Sequence, residues 1–464
     1  MRFNTILFLL LSLVLLRAFT ANAQNIRSEK KSQPNIVLFF VDDLGWSDLG
    51  FRNPVFESPN IDNLAQAGLS FEQAYIPTPT CSPSRATLYT GKHPARLHLV
   101  RHIPEGKENG FADFKAGSKE FNLLKTDPAQ FPSRNWLPLE HITYAEALKE
   151  LGYNTTFIGK WHLGNESYYP DKQGFDKQIG VSNHGHPKSY YPPYFKDETV
   201  FPDKNDRYLT DKLTDEAVAY IKSYQEKAPF ILTFSYYAVH SPHNGRKDLV
   251  AHFESKGLKG NYAQYAAMVK STDESVGRVM QAIKDAGKEQ ETIFIFLSDQ
   301  GGFFENQPFR GGKMSETLFE GGARVPFFFY WKGITTPNSK NNEAVQSLDL
   351  FPTLVEIAGG KCSRYPNLDG ISLVSAIKQN KPLKKRTLFG YRAYEDLYAS
   401  VREGDWKLLA YRSGKTELFN IVKDCKEESN LSLSEPKIET KLKNKLVKWE
   451  KELNIYNYSG VKLK

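Results

Sequence analysis

The stretch Pro77-Thr-Pro-Thr-Cys81-Ser-Pro-Ser-Arg85 sets a cysteine in a stiff, proline-bounded turn, with an arginine four residues on. Ser82 suits a helix cap and Pro83 a first helical turn, so a helix is expected to run through Arg85 to Tyr89. Free N–H groups at such a helix start attract anions, and a thiolate there has a lowered pKa and can act as a nucleophile. Asp42-Asp43 is a second candidate, because adjacent carboxylates repel each other unless a cation sits between them. Ser298-Asp299-Gln300 adds a carboxylate and an amide oxygen. That all-oxygen set suits Ca²⁺ or Mg²⁺ and not zinc, although any one of these Asp residues reads equally well as a loop cap. Cations complete the inventory: Lys160 and His162 in Gly159-Lys-Trp-His-Leu-Gly164, His240 in Val239-His-Ser-Pro-His243, and Arg310 and Lys313 in Arg310-Gly-Gly-Lys313. Metal, Lys, His and Arg meeting at one point would hold a tetrahedral oxyanion such as sulfate or phosphate. A thiolate beside a hard cation is a poor match, so an oxygen is wanted where sulfur is encoded.

Elements must carry these groups to one place. Asn35–Val41 is a continuous apolar, β-branched and aromatic run, as expected of a strand buried on both faces. Similar runs recur at Asn154–Gly159, Phe230–Tyr237, Thr292–Leu297 and Val325–Trp331. Helical patterns lie between them at Ile61–Ala67, Tyr144–Leu151, Leu213–Tyr224 and Tyr262–Ala286. Strand alternating with helix predicts an α/β fold with a mostly parallel central sheet flanked by helices, whose ligands bind beyond the carboxyl ends of the strands. The candidate groups follow those strands directly. Val100–Leu137 and the Tyr-rich Asn183–Asp203 read as long irregular loops of a functional kind. Beyond Ser375 the pattern changes. Thr387–Tyr394, Leu397–Arg402, Lys407–Tyr411 and Glu417–Asn420 read as short antiparallel strands, and Glu435–Leu453 as an amphipathic terminal helix. The expected organisation is a leader over 1–23, a catalytic α/β domain over 24–375 and a small C-terminal α+β domain over 376–464.

The leader is expected from a cationic Met1-Arg2, an apolar run of about 11 residues from Ile6 to Leu16, and an Ala21-Asn-Ala23 end. That run is too short to remain as a membrane span, so the mature chain is expected in the periplasm or outside the cell without one. The net charge of +8 favours anionic ligands mildly, and no dense Lys/Arg stripe points to nucleic acid. Three cysteines, Cys81, Cys362 and Cys425, cannot all pair in an oxidising compartment. Cys362 and Cys425 could form one bridge, a pairing the sequence leaves open, and Cys81 is then left over, either buried and inert or used.

Cys81-Ser82-Pro83-Ser84-Arg85, continued by Ala86-Thr-Leu-Tyr-Thr-Gly91, resembles the signature of the type I, formylglycine-dependent sulfatases, arylsulfatase-like enzymes that include secreted bacterial polysaccharide sulfatases. Asp42-Asp43, Gly-Lys160-x-His162-x-Gly, His240-Ser-Pro-His, Asp299 and Arg310-Gly-Gly-Lys313 occur in that family's order. Glu417-Leu-Phe-Asn-Ile with Ser429-Asn-Leu431 resembles its small C-terminal domain. The resemblance implies an alkaline-phosphatase-like fold and a Cys81 oxidised by a maturation enzyme to formylglycine, which hydrates to a gem-diol. It implies a metal held by Asp42, Asp43, Asp299, Gln300 and an oxygen of modified Cys81. One diol oxygen attacks sulfur and expels the substrate alcohol; the other then loses its proton, the aldehyde re-forms and sulfate leaves. By the same resemblance Arg85 and Lys160 stabilise the modified residue, and His162 hydrogen-bonds its second hydroxyl as the base. Lys313 and His240 bind sulfate, and His240 protonates the leaving oxygen. Gln300 stands where the family most often has Asn, and Cys425 where Pro is common.

The implied substrate is a sulfated oligosaccharide or polysaccharide. A galactose or N-acetylgalactosamine unit of algal or host polysaccharide is the specific expectation, with Arg101, His102, His184 and His186 as candidate sugar contacts. A phosphoester or phosphonate ester hydrolase of the same superfamily is the nearest rival, since the cradle suits either anion. A catalytically silent glycan-binding protein is another. A Cys–His protease would leave Asp42, Asp43 and Asp299 without a role.

Overall fold

The computed structural model describes residues 33–104, 119–196, 200–201 and 206–455; the expected leader over 1–23 lies outside the described residues. Fourteen strands are present among them: β1 Asn35–Val41, β2 Leu69–Tyr75, β3 Phe121–Asn122, β4 Ser133–Arg134, β5 Asn154–Gly159, β6 Lys177–Ile179, β7 Phe230–Ser235, β8 Thr292–Ser298, β9 Phe327–Trp331, β10 Ser339–Gln346, β11 Thr387–Tyr391, β12 Leu397–Glu403, β13 Trp406–Tyr411 and β14 Thr416–Asn420. Eight of them form one sheet in the order β10-β2-β9-β8-β1-β7-β5-β6. All its pairings are parallel except those of β9, which runs antiparallel to β2 and β8.

The continuous apolar runs fold as strands because both sheet faces are covered. In β1, Ile36, Leu38 and Phe40 enter one apolar core while Val37, Phe39 and Val41 enter the other. Phe39 sits in register between Phe234 of β7 and Phe296 of β8. One face carries the helices Cys81–Thr90, Tyr144–Glu150 and Leu350–Ile357, and the opposite face Leu209–Ser223 and Gly260–Asp285. A reciprocal capping box between Thr143 and Glu146 starts the Tyr144 helix.

The strands β11 to β14 form a separate antiparallel sheet, against which Leu442 and Leu446 of the terminal helix Pro436–Glu452 pack. Buried Lys407 in β13 reaches Glu320 and Glu427, each at 2.9 Å, and ties the small sheet to the loop between β8 and β9. Among the described residues, no helix is long and apolar enough to cross a membrane.

Several expectations are corrected. The helix after the proline-rich turn begins at Cys81 itself, with extended Thr80 as its cap. Ser82 instead accepts a hydrogen bond from the Ile103 N–H at 3.0 Å. Cys362 and Cys425 remain unpaired thiols. The run at Val325–Trp331 folds as a strand over Phe327–Trp331 and is the antiparallel member of the otherwise parallel sheet, in keeping with the mostly parallel expectation. In the Tyr-rich loop, Tyr190 and Tyr194 are buried in the core and offer no surface to a sugar.

Candidate active site

Five parallel strands deliver functional groups to one edge of the sheet. Asp42 and Asp43 follow β1, Lys160 follows β5, the His240 segment follows β7, Asp299 and Gln300 follow β8, and Cys81 follows β2 after a short loop. Neighbouring residues of a strand point to opposite faces. Asp43 leaves the strand with φ 62°, and a carboxylate oxygen from each of Asp42, Asp43 and Asp299 lies within 4.8 Å of the others. The turn is fixed by the Asp43 N–H donating to Asp299 Oδ1 at 3.0 Å.

Cations surround this fully buried cluster. Lys160 pairs with Asp42 and Lys313 with Asp43. Arg85 donates through Nη2 to Asp299 at 3.2 Å, and through Nη1 to the Lys160 carbonyl at 2.8 Å and Ser235 Oγ at 2.6 Å. One arginine thus ties the ends of β5, β7 and β8 together. Burial pulls the Asp42 carboxyl upward, but Lys160 and then Arg85 hold it below the usual carboxylate range. Asp43 is raised to about 6 by burial and by Asp42, against the opposing pull of Lys313. Burial and the neighbouring carboxylates push Asp299 well up. A cluster in which two of three carboxyls are raised in this way favours added positive charge, and its carboxylate donors are all oxygen. These residues fit a hard divalent cation. The Gln300 side chain reaches the cluster through its amide nitrogen, which donates to Asp43 Oδ1 at 2.7 Å. The metal-ligand expectation needs its oxygen turned inward.

Cys81 Sγ lies 3.7 Å from Asp42 Oδ1 and 3.4 Å from Gln300 Nε2. The expected low thiol pKa is reversed. Burial pushes the thiol up to about 12, with Asp42 and Asp299 reinforcing it against Lys160. Desolvation and two carboxylates outweigh the helix start, so the encoded thiol stays protonated.

His162 also sits in the left-handed region, at φ 54°, and its Nε2 meets the Ile103 carbonyl at 2.9 Å. A carbonyl only accepts, so Nε2 carries the proton and Nδ1 the lone pair. His240 Nδ1 lies 2.5 Å from the Ser241 carbonyl and is protonated for the same reason, while Nε2 faces Asp43 Oδ2 at 3.8 Å. Burial, then Lys313, holds the His240 imidazole well below its ordinary pKa and therefore neutral. The cationic His240 expected from the sequence is not the resting form.

A cavity of about 730 Å³ is lined by Cys81, His162, His240, Gln300 and Lys313. His102 and His186 line it too, and His186 stacks on His240 with ring centres 5.2 Å apart. Arg101 does not take part. It is fully buried and donates to Asp127 at 3.2 Å, to the Ala393 carbonyl at 2.9 Å and to Asn122. His184 lies outside this cavity, stacked on Phe195. Arg310 turns away from the cavity, donating to Glu316 in its own loop and to the Glu427 carbonyl beyond β14, at 3.0 Å each. Sequence reasoning missed Arg392 and Tyr394, which reach the cavity from beyond β11. It also missed Tyr190, whose hydroxyl donates to the Tyr237 and His240 carbonyls at 2.6 and 2.9 Å. Ser235 had a signal, as a polar residue ending an apolar strand; Arg392 and Tyr394 had none.

The family described as Sulfatase matches residues 34–360, and that described as N-sulphoglucosamine sulphohydrolase, C-terminal, matches residues 315–452. The chain is 31% identical to a sulfatase of Formosa agariphila over 521 residues, covering 94% of this chain and 92% of that protein. It is 32% identical to the Homo sapiens N-acetylgalactosamine-6-sulfatase over 383 residues, covering 77% and 68%. The crystal structure of Ps i-CgsB in complex with k-i-k-neocarrahexaose matches with a TM-score of 0.77 at 30% identity, covering 90% of this chain and 93% of that one.

Proposed function

The chain belongs to the sulfatase family, and on that premise we propose that it desulfates a carbohydrate, with Cys81 converted to formylglycine as nucleophile and Ca²⁺ or Mg²⁺ held by Asp42, Asp43, Asp299 and Gln300. The observation that carries this reading is the placement of Cys81. Its thiol is buried, protonated, and set among hard oxygen donors and cations. It is a poor nucleophile at the position where the site converges, and an oxygen nucleophile on the same carbon removes the mismatch.

Hydrated formylglycine supplies two hydroxyls on one carbon, one to take the sulfuryl group and one to lose its proton so that sulfate can leave. The divalent ion supplies the positive charge that acidifies such a hydroxyl and orients the sulfate. The remaining work falls to side chains of this chain. Arg85 fixes Asp299 against the ends of β5 and β7, and Lys160 balances Asp42. His162, with its lone pair on Nδ1, is the base for the second hydroxyl. Lys313 and His240 bind sulfate oxygens. An incoming sulfate offsets the repulsion between Lys313 and a protonated His240, so His240 can gain a proton at Nε2 and pass it to the leaving oxygen.

The names of the relatives support a sulfated galactose or N-acetylgalactosamine unit: N-acetylgalactosamine-6-sulfatase, and a complex with a carrageenan oligosaccharide. Export through the N-terminal leader, maturation by a formylglycine-generating enzyme, and a division into 24–375 and 376–464 complete the reading. The test is a sulfate-release screen over defined sulfated oligosaccharides, using enzyme whose Cys81 conversion is checked by peptide mass. Cys81→Ala is expected to abolish turnover with the thermal transition unchanged. Near-wild-type turnover in that variant refutes the nucleophile, and faster hydrolysis of aryl phosphate than of aryl sulfate refutes the reaction class.

A further inference from the structure

A groove of about 800 Å³ runs between β10, an edge strand of the large sheet, and the C-terminal sheet and helix; no residue lines both it and the cavity at Cys81. Its walls come from Lys340–Ala344 of β10, the 380–387 connection, the turn from β12 to β13, and one face of the terminal helix. Seven lining side chains are Lys or Arg, against the three carboxylates Glu343, Glu403 and Asp405. Several of these cations are anchored from within. Arg386 donates to Asp349 at 2.7 Å, Arg402 is held by Tyr75 and Gln73, and Lys441 and Lys445 share Glu403 at 2.8 and 2.7 Å.

Lys340, Lys384 and Lys385 are different. All three are exposed, and among the described residues none makes an ion pair. Like charges gathered along a concave wall raise the local potential and attract polyanions. The groove also offers amides, with Asn341 donating to Asn380 at 2.9 Å and exposed Asn342 beside them. Half-buried Trp406 lines it as well, an apolar ring of the kind sugar faces pack upon. Its volume falls within the ~300–1,000 Å³ range of ligand clefts.

We propose that this groove is an accessory site for a sulfated polysaccharide, holding the polymer by Lys340, Lys384 and Lys385 away from the cavity where the ester is cleaved. The proposal rests on the sulfated-carbohydrate reading above. It differs from that reading in needing no turnover to be observed. Holding the chain at a second point raises its effective concentration at the cavity, so the groove lowers KM for polymer and leaves kcat unchanged.

The experiment compares the full wild-type chain, a Lys340→Ala, Lys384→Ala, Lys385→Ala triple variant, and a charge-matched control at exposed Lys222, Lys227 and Lys259, none of which lines the groove. Binding to dextran sulfate, neutral dextran and a poly(dT) oligonucleotide is measured by affinity electrophoresis at low salt. Turnover is measured on 4-nitrophenyl sulfate and on a sulfated polymer. The groove variant is expected to bind dextran sulfate roughly tenfold or more weakly, with the loss shrinking as salt screens the charges. Its polymer KM is expected to rise with kcat and the 4-nitrophenyl sulfate rate unchanged, while the control behaves as wild type. Equal weakening in the control, unchanged binding in the groove variant, or tighter capture of poly(dT) than of dextran sulfate overturns the proposal. Dextran sulfate capture through the groove by an enzyme that releases no sulfate from any ester overturns the catalytic reading alone.

Discussion

Arg85→Met tests whether one buried guanidinium holds the active-site edge together. Arg85 is fully buried and bridges three strand ends through bonds of 2.8, 2.6 and 3.2 Å to the Lys160 carbonyl, Ser235 and Asp299. Methionine fills much of the same volume but supplies neither donors nor charge. Three buried carboxylates would then face only Lys160 and Lys313, because His240 is neutral. Removing one partner from a buried ion pair costs about 3–5 kcal/mol. With an unfolding entropy of about 2.1 cal/mol/K per residue, a chain of this length shifts by about 1 °C per kcal/mol, so a loss of about 4 kcal/mol lowers Tm by roughly 4 °C. The assay is a thermal melt in chelator and again with saturating Ca²⁺. With more uncompensated negative charge, the variant is expected to gain more Tm from Ca²⁺ than wild type does. A chelated-state loss under about 1 kcal/mol, or an equal Ca²⁺ gain in both proteins, refutes the picture of Arg85 as the brace of a cation-seeking carboxylate cluster.

Two further outcomes follow from the same geometry. His93 is buried at the join to the terminal helix, with Nδ1 accepting from Ala95 at 3.1 Å, Nε2 at 3.1 Å from the Phe389 carbonyl and Trp449 edge-on at 4.8 Å. Burial lowers its pKa from 6.5 to about 4, so the unfolded chain takes up the proton first and stability is lost as pH falls from 6.5 towards 4, by at most about 3 kcal/mol. Tm is therefore expected to fall over that window, and less steeply in His93→Gln; equal slopes would sink the assignment. At Gly185, an added Cβ would lie 2.4 Å from His162 Cε1. Gly185→Ala is expected to displace the imidazole and cut kcat by about 10²-fold with little change in Tm; an unchanged kcat would remove His162 from the base role.

The strands that build the site were readable because burial on both faces demands unbroken apolar runs, and β1 and β5 fall at their expected bounds. Ser339–Gln346 was not readable as a strand: SKNNEAVQ is an edge strand with few apolar contacts to enforce a pattern. The tyrosines of the 183–203 loop misled in the opposite direction. Aromatic residues in an irregular segment look the same in sequence whether they meet a ligand or, like Tyr190, brace the backbone beneath His240.

By itself the sequence determined which side chains gather at the sheet edge, since the apolar runs fix where each strand ends and the polar groups follow at once. It also determined the family, through residues whose types and order recur together. Only the tertiary structure decided their electrical state. Whether Cys81 is a thiolate, His240 a cation or Arg101 a ligand depends on solvent exclusion and on charges dozens or hundreds of residues away in the chain, and all three answers came out opposite to the local reading. The basic groove was likewise invisible in sequence, because its lysines lie on separate segments that meet only when the terminal helix and small sheet dock against β10.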